Sequence, residues 1–384
     1  MQRLINSFTV AFLFCLLVSF FVCTDGNAQN NPAVGARPSG ATSTGTFSVI
    51  SNKEEKRPGI YRYHETNLYS YQKELYKLIS EALFSLDHSI KLPASRQEDI
   101  RAAYGAVLLD YPEIFYTRSY KCAENTQKKE VVCRPDYLFS PSDIRRFQKD
   151  IAMSLSFFQN VKYKSDYEKV KYVHDFILNN IKYDKASAHP HSVLGIVYNK
   201  KAVCEGIAKY MKLALDSLGV KSIVVTGIGV NPTTSRNDNE DHAWNMVMVN
   251  GGWYHVDATY DLGLKHQINR YDYFLIKDSE IQKDHFTKMY LPRSGARTMD
   301  YYSASGLTVA DLSELGAVIS RSLRSGNRVM QFKLVNVPSG VDVEKAMMQI
   351  AQDEYKNLWK HTFGVRLQHN KDTHVVEIEF NQAS

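Results

Sequence analysis

The stretch "HAWNMVMVNGGWYHVDATYD", residues 242–261, holds two apolar segments on either side of Asn250-Gly251 and decides the expected fold. Asn-Gly between apolar segments is the strongest short-range signal for a β-hairpin, because both residues tolerate the positive φ of a two-residue turn. Such a turn places His242 diagonally across from Asp257. The stretch therefore predicts an antiparallel sheet with an imidazole and a carboxylate on one face.

The shared face depends on the position and length of the turn. With Asn250-Gly251 as the turn, Trp244 pairs with Asp257 and becomes a candidate to line whatever site the face carries. A three-residue loop would put His242 and Asp257 on opposite faces, because strand side chains alternate with a period of two. A turn at Gly251-Gly252 would keep them on one face but widen the offset.

A lone cysteine opens the preceding segment, "VCEGIAKYMKLALDSLG", residues 203–219. Apolar residues follow it at helical spacing and predict a helix from about Cys204 to Gly219: Ile207, Met211, Leu215 and Leu218. Unpaired backbone N–H groups in a first helical turn favour an anion, so a thiolate is favoured at Cys204. Gly206 adds little bulk there and is expected to let a substrate backbone approach. A helix cysteine is by itself more often a small buried hydrophobic residue.

Cys204, His242 and Asp257 together supply the groups of an activated nucleophile. A thiolate attacks, a histidine holds the proton, and a carboxylate orients the histidine. Each residue is weak evidence alone, since a single strand histidine or aspartate usually has a structural partner. The combination favours a thiol enzyme.

The blocks "VCEG", "HAWN" and "VDATYD", in this order, resemble the core of the transglutaminase-like superfamily, and more narrowly its secreted or envelope-associated bacterial branch. The resemblance covers about residues 165–262 and, with "LLDYPEIFYT" upstream, extends over about 60–290. It implies an α+β fold in which the cysteine helix packs on an antiparallel sheet. It also implies that Cys204 is the nucleophile, His242 the general base and acid, and Asp257 the orienting residue.

Two positions depart from the family pattern. Leu194 stands where relatives often have Tyr, and Tyr260 stands where many have Trp. The expected oxyanion donor is therefore the Cys204 backbone N–H, with His191 or Tyr198 as candidates for a second donor.

The cysteine count leaves one thiol to explain. Five cysteines occur, and cleavage after residue 28 would remove two: Cys15 and Cys23. A hairpin turning at Gln127-Lys128 would pair Cys122 with Cys133, which predicts a disulfide worth about 2–3 kcal/mol. The alternative is two buried free thiols. If the disulfide forms, Cys204 is the odd cysteine.

Residues 1–28 have the pattern of a cleaved secretory signal peptide, with Arg3, an apolar run over residues 8–22, and the small residues Gly26 and Ala28 at the −3 and −1 positions of the cleavage site. A lipoprotein anchor on Cys23 is the less favoured alternative, because Val22 before it is not small. No later stretch approaches the roughly 18 apolar residues that a membrane span requires. We expect a secreted, periplasmic or cell-envelope protein without a transmembrane segment in the mature chain.

Composition divides the chain into five parts. The expected parts are a signal peptide (1–28), a disordered linker (29–58), a mostly helical region with a hairpin (59–160), a transglutaminase-like catalytic core (161–298) and a C-terminal α/β accessory domain (299–384).

Two capping boxes predict helix starts inside these parts: Ser95 with Glu98, and Ser165 with Glu168. His174 falls on the apolar face of the second helix, which predicts a core or rim histidine.

Nucleic acid and metals are not expected partners. The net charge of +6 is modest for 384 residues, and no basic block stands out. The histidines match no zinc spacing: His189, His191, His242, His255 and His266. The acidic stretch "NDNED" lacks the Gly and distal Glu of a calcium loop, and we interpret it as a solvated rim of the site. No cofactor is expected.

The sequence thus predicts an extracytoplasmic thiol enzyme that acts on amide bonds of peptides or proteins through a thioester acyl-enzyme. Hydrolysis is slightly preferred over transfer to an amine, because no feature would hold an amine or exclude water. The alternative is a non-catalytic scaffold that binds peptides or envelope components on the same fold.

Overall fold

The computed structural model describes residues 60–230, 239–359 and 363–382. The predicted signal peptide, the alternative anchor on Cys23 and the predicted linker all lie outside these residues.

Helices and strands alternate through the chain. The α-helices are α1 (Tyr63–Thr66), α2 (Ser70–Ser85), α3 (Gln97–Asp110), α4 (Pro141–Ser156), α5 (Asp166–Asn180), α6 (Val193–Asn199), α7 (Cys204–Ser217), α8 (Ala258–Leu264), α9 (Asp278–Ile281), α10 (Tyr301–Ala304), α11 (Leu312–Arg324) and α12 (Val343–Leu358). One 3₁₀ helix, Phe157–Val161, follows α4.

The strands form separate sheets, and the predicted α+β class is confirmed. They are β1 (Ile90–Pro93), β2 (Thr117–Asn125), β3 (Glu130–Tyr137), β4 (Lys182–Tyr183), β5 (Lys201–Ala202), β6 (Ser222–Val230), β7 (Asn239–Val249), β8 (Gly252–Val256), β9 (Phe274–Ile276), β10 (His285–Phe286), β11 (Thr308–Val309), β12 (Val329–Leu334), β13 (Phe363–Asn370) and β14 (Val375–Gln382).

The first sheet, in the order β1-β3-β2, packs beside α2 and α3. Cys122 of β2 and Cys133 of β3 occupy directly paired positions, and their sulfur atoms are bonded. The register has Asn125 opposite Glu130, which centres the turn on residues 127 and 128. The cross-strand disulfide closes this hairpin far from α7 in sequence.

The predicted capping box at Ser95 is wrong. Helix α3 is capped one residue later, by Arg96, and the Ser95 hydroxyl donates to the Pro93 carbonyl. The Arg96 side chain reaches forward instead and pairs with Asp99 at 2.9 Å. The second box is confirmed, because Ser165 Oγ accepts from Glu168 N and the Glu168 carboxylate accepts from Ser165 N.

A five-stranded antiparallel sheet, in the order β10-β6-β7-β8-β9, forms the centre. Val249 pairs with Gly252, so Asn250 and Gly251 form the two-residue turn. Their φ values of 51° and 79° lie in the left-handed region that such a turn requires. The predicted register of the hairpin is confirmed.

Helix α7 packs on one face of this sheet. Asn245 Nδ2 donates to the Ala208 carbonyl at 3.0 Å, and Ala243 lies against Ala208 in the core. The helix ends as predicted, because Gly219 takes a φ of 75° and its N–H and that of Val220 cap the last turn. Trp244 and Met246 point to the opposite face, into a second apolar cluster.

Helix α5 contacts α8 through a buried polar pair. His174 of α5 is fully buried, and its Nε2 lies 2.9 Å from Oδ2 of Asp261. It is a core histidine, as its place on the apolar face predicted.

The C-terminal sheet, in the order β11-β12-β14-β13, is covered by α11 and α12 and has an apolar core of its own. Polar contacts join this unit to α9 and to the residue that precedes β9. Lys333 Nζ lies 2.5 Å from the Glu280 carboxylate, and Asn370 Nδ2 donates to the Tyr273 hydroxyl at 3.2 Å. The domain boundary at residues 298 and 299 stays a prediction.

Within the described residues, no helix is both long and apolar enough to span a membrane.

Candidate active site

Cys204 is the first residue of α7 and is partly exposed. It is the free cysteine among the described residues, since Cys122 and Cys133 are bonded to each other. Val203 before it is extended, and its N–H donates to the Pro190 carbonyl at 2.9 Å. The 190–192 segment thus holds the start of α7, and the thiol projects from the positive end of a 14-residue helix.

Gly206 has a packing role that sequence reasoning assigned wrongly. A Cβ at this position would lie 2.5 Å from the Pro190 carbonyl oxygen and 2.9 Å from the Ala202 side chain. The missing side chain therefore lets the 190–192 segment pass close to α7, and it does not open a path for a substrate backbone.

His242 lies near the start of β7, and its side chain is buried. Its Nε2 lies 2.5 Å from Oδ2 of Asp257. The Cys204 thiol is within hydrogen-bonding reach of the same ring. Because Asp257 occupies Nε2, the Nδ1 atom is the one available to the sulfur.

The surroundings of His242 favour its protonated form. Burial lowers the pKa of the ring, but the Asp257 carboxylate and the Cys204 thiol outweigh that effect and raise it to about 9. An imidazolium beside a thiol stabilises the thiolate. The arrangement therefore places a protonated imidazole beside the Cys204 thiol.

Asp257 is the most constrained residue of the site. It is the N-cap of α8, and its Oδ1 accepts from the backbone N–H groups of Thr259 and Tyr260 at 2.8 and 3.1 Å. Its Oδ2 accepts from His242 and from His285, the latter at 2.9 Å. Burial raises the pKa of this carboxyl, but the two histidines outweigh that effect and hold the pKa well below its usual range. The carboxylate is ionised and fixed by four donors.

His285 and Asp284 are site residues that sequence reasoning missed. His285 lies in β10, a two-residue strand that pairs with β6 through residues 228 and 229. Its Nδ1 lies 2.6 Å from Oδ1 of Asp284, and the other Asp284 oxygen accepts from the Tyr273 hydroxyl at 2.5 Å. The only local signal was the Asp-His pair itself, which repeats the Asp241-His242 pair of β7.

Two tyrosines also lie at the site. Burial and the nearby Cys204, Glu240 and Asp257 raise the pKa of Tyr183 well above its usual value, so the phenol lies beside the thiol. Tyr260, the position noted as a departure from the family pattern, packs its ring 4.6 Å from that of His242 and 4.5 Å from that of His285.

The remaining candidates lie in other surroundings. Trp244 is buried on the His242 face, and its indole N–H donates to Nδ1 of His255 at 3.1 Å, so it is a core residue beneath the site. Tyr198 is half exposed, and its hydroxyl donates to the carboxylate of Asp150 in α4. Its role as a second oxyanion donor stays a prediction.

His191 lies close to the site but has another partner. Its Nδ1 lies 3.0 Å from the carboxylate of Glu205, the residue after Cys204. Leu194 is fully buried in the core.

The predicted rim lies partly outside the described residues, because "NDNED" begins at residue 237 and the description resumes at 239. Exposed Glu240 raises the pKa of Tyr183 and Tyr260, so this end of β7 lies at the edge of the site.

Two clusters of ligand-type side chains occur among the described residues. The first is His242, Asp257 and His285, and its nitrogen and oxygen atoms already bond to one another. The second is His266, Glu377 and Glu379. Arg366 lies 3.6 Å from both glutamates of this second cluster, which makes it an ion-pair network.

Comparisons with known proteins found a family model, curated relatives and solved structures that are similar to parts of this chain. Residues 156–258 match the family model described as the transglutaminase-like superfamily. The human kyphoscoliosis peptidase is 30% identical over 139 residues, which cover 32% of this chain and 21% of that protein. The mouse protein of the same name is 30% identical over 109 residues, or 26% of this chain and 16% of that protein. The chain thus matches about a fifth or less of these relatives' length. A crystal structure of a TGase aligns over 40% of this chain and 47% of that one, with 18% identity and a TM-score of 0.27.

Proposed function

We propose that this chain, whose residues 156–258 form a transglutaminase-like domain, is a thiol enzyme that cleaves or transfers amide bonds of peptides or proteins. Cys204 is the nucleophile, His242 the proton carrier and Asp257 the residue that orients it. The observation that best supports this proposal is a continuous set of contacts. It runs from the thiol at the start of α7, through the ring of His242, to the carboxylate of Asp257 with its four donors.

Acylation begins from the thiolate–imidazolium pair. The Cys204 sulfur attacks the amide carbonyl carbon and forms a C–S bond. The carbonyl oxygen takes the negative charge, and the Cys204 backbone N–H stabilises it as one of the first-turn amides that a helix leaves unpaired. When the C–N bond breaks, His242 gives its Nδ1 proton to the leaving amine. The products of this half-reaction are a free amine and a thioester on Cys204.

Deacylation returns the enzyme to its starting state. The neutral His242 takes a proton from water, and the hydroxide attacks the thioester carbonyl. The C–S bond then breaks, which releases the carboxylic acid and restores the thiolate beside an imidazolium. A primary amine in place of water would give transamidation. Hydrolysis is preferred because the partly exposed Cys204 is open to water.

Peptides or proteins are the proposed substrates. Support comes from the superfamily match and from the printed name of the kyphoscoliosis relatives, which calls them peptidases. An envelope location is proposed from the secretory pattern of residues 1–28. The Cys122–Cys133 bond supports this location, because structural disulfides persist in oxidising compartments.

The test is chemical trapping of the thioester. The full chain is incubated with a mixture of tryptic peptides, with and without hydroxylamine, and the products are identified by mass spectrometry. We expect new carboxyl ends in water and hydroxamates at the same positions with hydroxylamine. Cys204→Ala is expected to give neither, and Cys122→Ser/Cys133→Ser is the control that removes two other cysteines and gives both. No products from the wild type would assign the chain to the scaffold alternative, and the same products from Cys204→Ala would show that Cys204 is not the nucleophile.

A further inference from the structure

His285 lies at the back of the proposed active site and has a carboxylate at each ring nitrogen. Its Nε2 lies 2.9 Å from Asp257, and its Nδ1 lies 2.6 Å from Asp284. The side chain is fully buried. A neutral imidazole has one N–H, so it could donate to only one of these two carboxylates. With both carboxyl groups ionised, the geometry therefore calls for a ring with both nitrogens protonated.

His285 shares one oxygen of Asp257 with His242. Both Nε2 atoms point at Oδ2, and their ring centroids lie 5.3 Å apart. The second oxygen of Asp257 is occupied by backbone N–H groups of α8. Removal of His285 would therefore leave His242 as the only side-chain donor, among the described residues, to the buried Asp257 carboxylate.

The contacts continue behind His285. The Tyr273 hydroxyl donates to Asp284, and Asn370 of the C-terminal unit donates to the Tyr273 hydroxyl. Asp284 is buried. Its Oδ1 contacts His285, and its Oδ2 accepts from the Tyr273 hydroxyl. The carboxylate that holds His285 is thus positioned by the rest of the fold.

We propose that His285, held between Asp257 and Asp284, is a positioning residue that fixes the carboxylate behind His242 and places a second cation next to the thiolate–imidazolium pair. This inference rests on the proposed function, because it assigns a role at the same site. Negative and positive charges then alternate along five contacting side chains: Cys204, His242, Asp257, His285 and Asp284.

The groups that face His285 come from every element packed against it. Asp284 precedes it in the chain, and Asp257 caps α8. Three aromatic rings of other elements lie within 5.5 Å of its ring centroid besides that of His242: Trp244, Tyr260 and Tyr273. His255 of β8 is close enough for the charge of His285 to affect it. Burial lowers the pKa of His285, but the two carboxylates outweigh that effect and raise it to about 9.

The first test uses the wild-type chain and needs no substrate. Nitrogen NMR of labelled histidine distinguishes a doubly protonated ring from either neutral tautomer. We expect His285 to keep both protons from pH 5 to pH 8, with its signal assigned by loss in His285→Gln. A neutral ring at pH 7 would overturn the proposal.

The second test measures the rate of Cys204 alkylation by iodoacetamide against pH. In His285→Gln, loss of the cation is expected to move the midpoints of the profile upward by about one pH unit. In Asp284→Asn, loss of the anion moves them downward while Asp257 still holds the His285 proton. A merely structural role would change the rates at all pH values and leave the midpoints in place.

His255→Gln is the matched control, because His255 is also buried in this sheet and bonds to a carboxylate, that of Asp278 at 3.0 Å. Its midpoints are expected to match the wild type. The role of His285 would be overturned if the midpoints were unchanged in His285→Gln. It would also be overturned if His285→Gln and Asp284→Asn moved the midpoints in the same direction. If His242→Ala gave the same alkylation profile as the wild type, the proposed function itself would be contradicted. The two failures are therefore distinguishable.

Discussion

The Nε2 atom of His242 lies 2.5 Å from Oδ2 of Asp257, a residue 15 positions later in the chain. The hairpin turn at residues 250 and 251 sets this distance, because its register brings the start of β7 level with the end of β8. The same Asp257 begins α8 as its N-cap. One carboxylate thus fixes a helix and orients the proposed proton carrier.

Replacement of Asp257 is expected to affect the site and the fold together. In Asp257→Ala, loss of the cap costs about 1–2 kcal/mol of stability, and alkylation of Cys204 at pH 6 falls at least tenfold, because His242 loses its partner. Urea unfolding and iodoacetamide labelling measure the two effects.

The control for this variant is Asp342→Ala, which removes another N-cap aspartate, at the start of α12. It is expected to cost a similar free energy and to leave Cys204 labelling unchanged. Equal labelling in the two variants would mean that Asp257 acts on stability alone.

Gly206→Ala is expected to displace the start of α7. The added Cβ would lie 2.5 Å from the backbone oxygen of Pro190, and backbone on this side cannot move without disturbing Cys204. We expect a loss of about 1–3 kcal/mol in the free energy of unfolding and slower labelling of the thiol.

Gly263→Ala provides the comparison within a helix, because nothing lies within 4 Å of a Cβ at that position. It is expected to be neutral or to stabilise by up to about 1 kcal/mol, since Ala is the better helix former. A Gly206→Ala variant as stable as Gly263→Ala would show that the 190–192 segment is not packed as described.

Stability is expected to depend on pH through His242. The pKa of the folded-state ring is about 9, above the value of about 6.5 in an unfolded chain. Its contribution to stability is therefore complete below pH 6.5 and is lost as the pH rises through 9. The free energy difference between wild type and His242→Gln should reach about 3 kcal/mol at pH 6 and disappear near pH 10.

Urea unfolding at pH 6, 8 and 10 tests this dependence. A difference between the two proteins that is constant over this range would contradict a raised His242 pKa in the folded state.

Loss of the disulfide is expected to weaken the N-terminal hairpin only. In Cys122→Ser/Cys133→Ser, release of the short loop costs about 2–3 kcal/mol. Alkylation of Cys204 should keep the wild-type rate, because the two strands belong to a different sheet. A changed rate at Cys204 would mean that the first sheet supports the site directly.

Sequence reasoning succeeded where the determining signal is local. The two-residue turn, the start of α7 at Cys204 and its end before Gly219 each follow from a few adjacent residues. The α+β class follows from these elements in combination. The diagonal placement of His242 and Asp257 followed from the period of a strand together with the position of the two-residue turn.

Residues brought in by long-range pairing were not predictable in the same way. His285 reaches the site through a two-residue strand that pairs with β6, and Tyr183 arrives through a two-residue parallel pair with β5. Strands this short carry no periodicity. Gly206 was misassigned because its close neighbour, Pro190, is 16 positions away and leaves no local mark on the sequence.

The account depends most on the ion pair between the Cys204 thiolate and the His242 imidazolium. Its most direct measurement is the rate of Cys204 labelling by iodoacetamide at pH 6 in the wild type and in His242→Ala, followed by mass spectrometry of the peptide that carries residue 204. The account predicts rapid labelling of the wild type and a loss of at least tenfold in His242→Ala. Equal rates in the two proteins, rising only towards pH 8.5 as for an ordinary thiol, would contradict it.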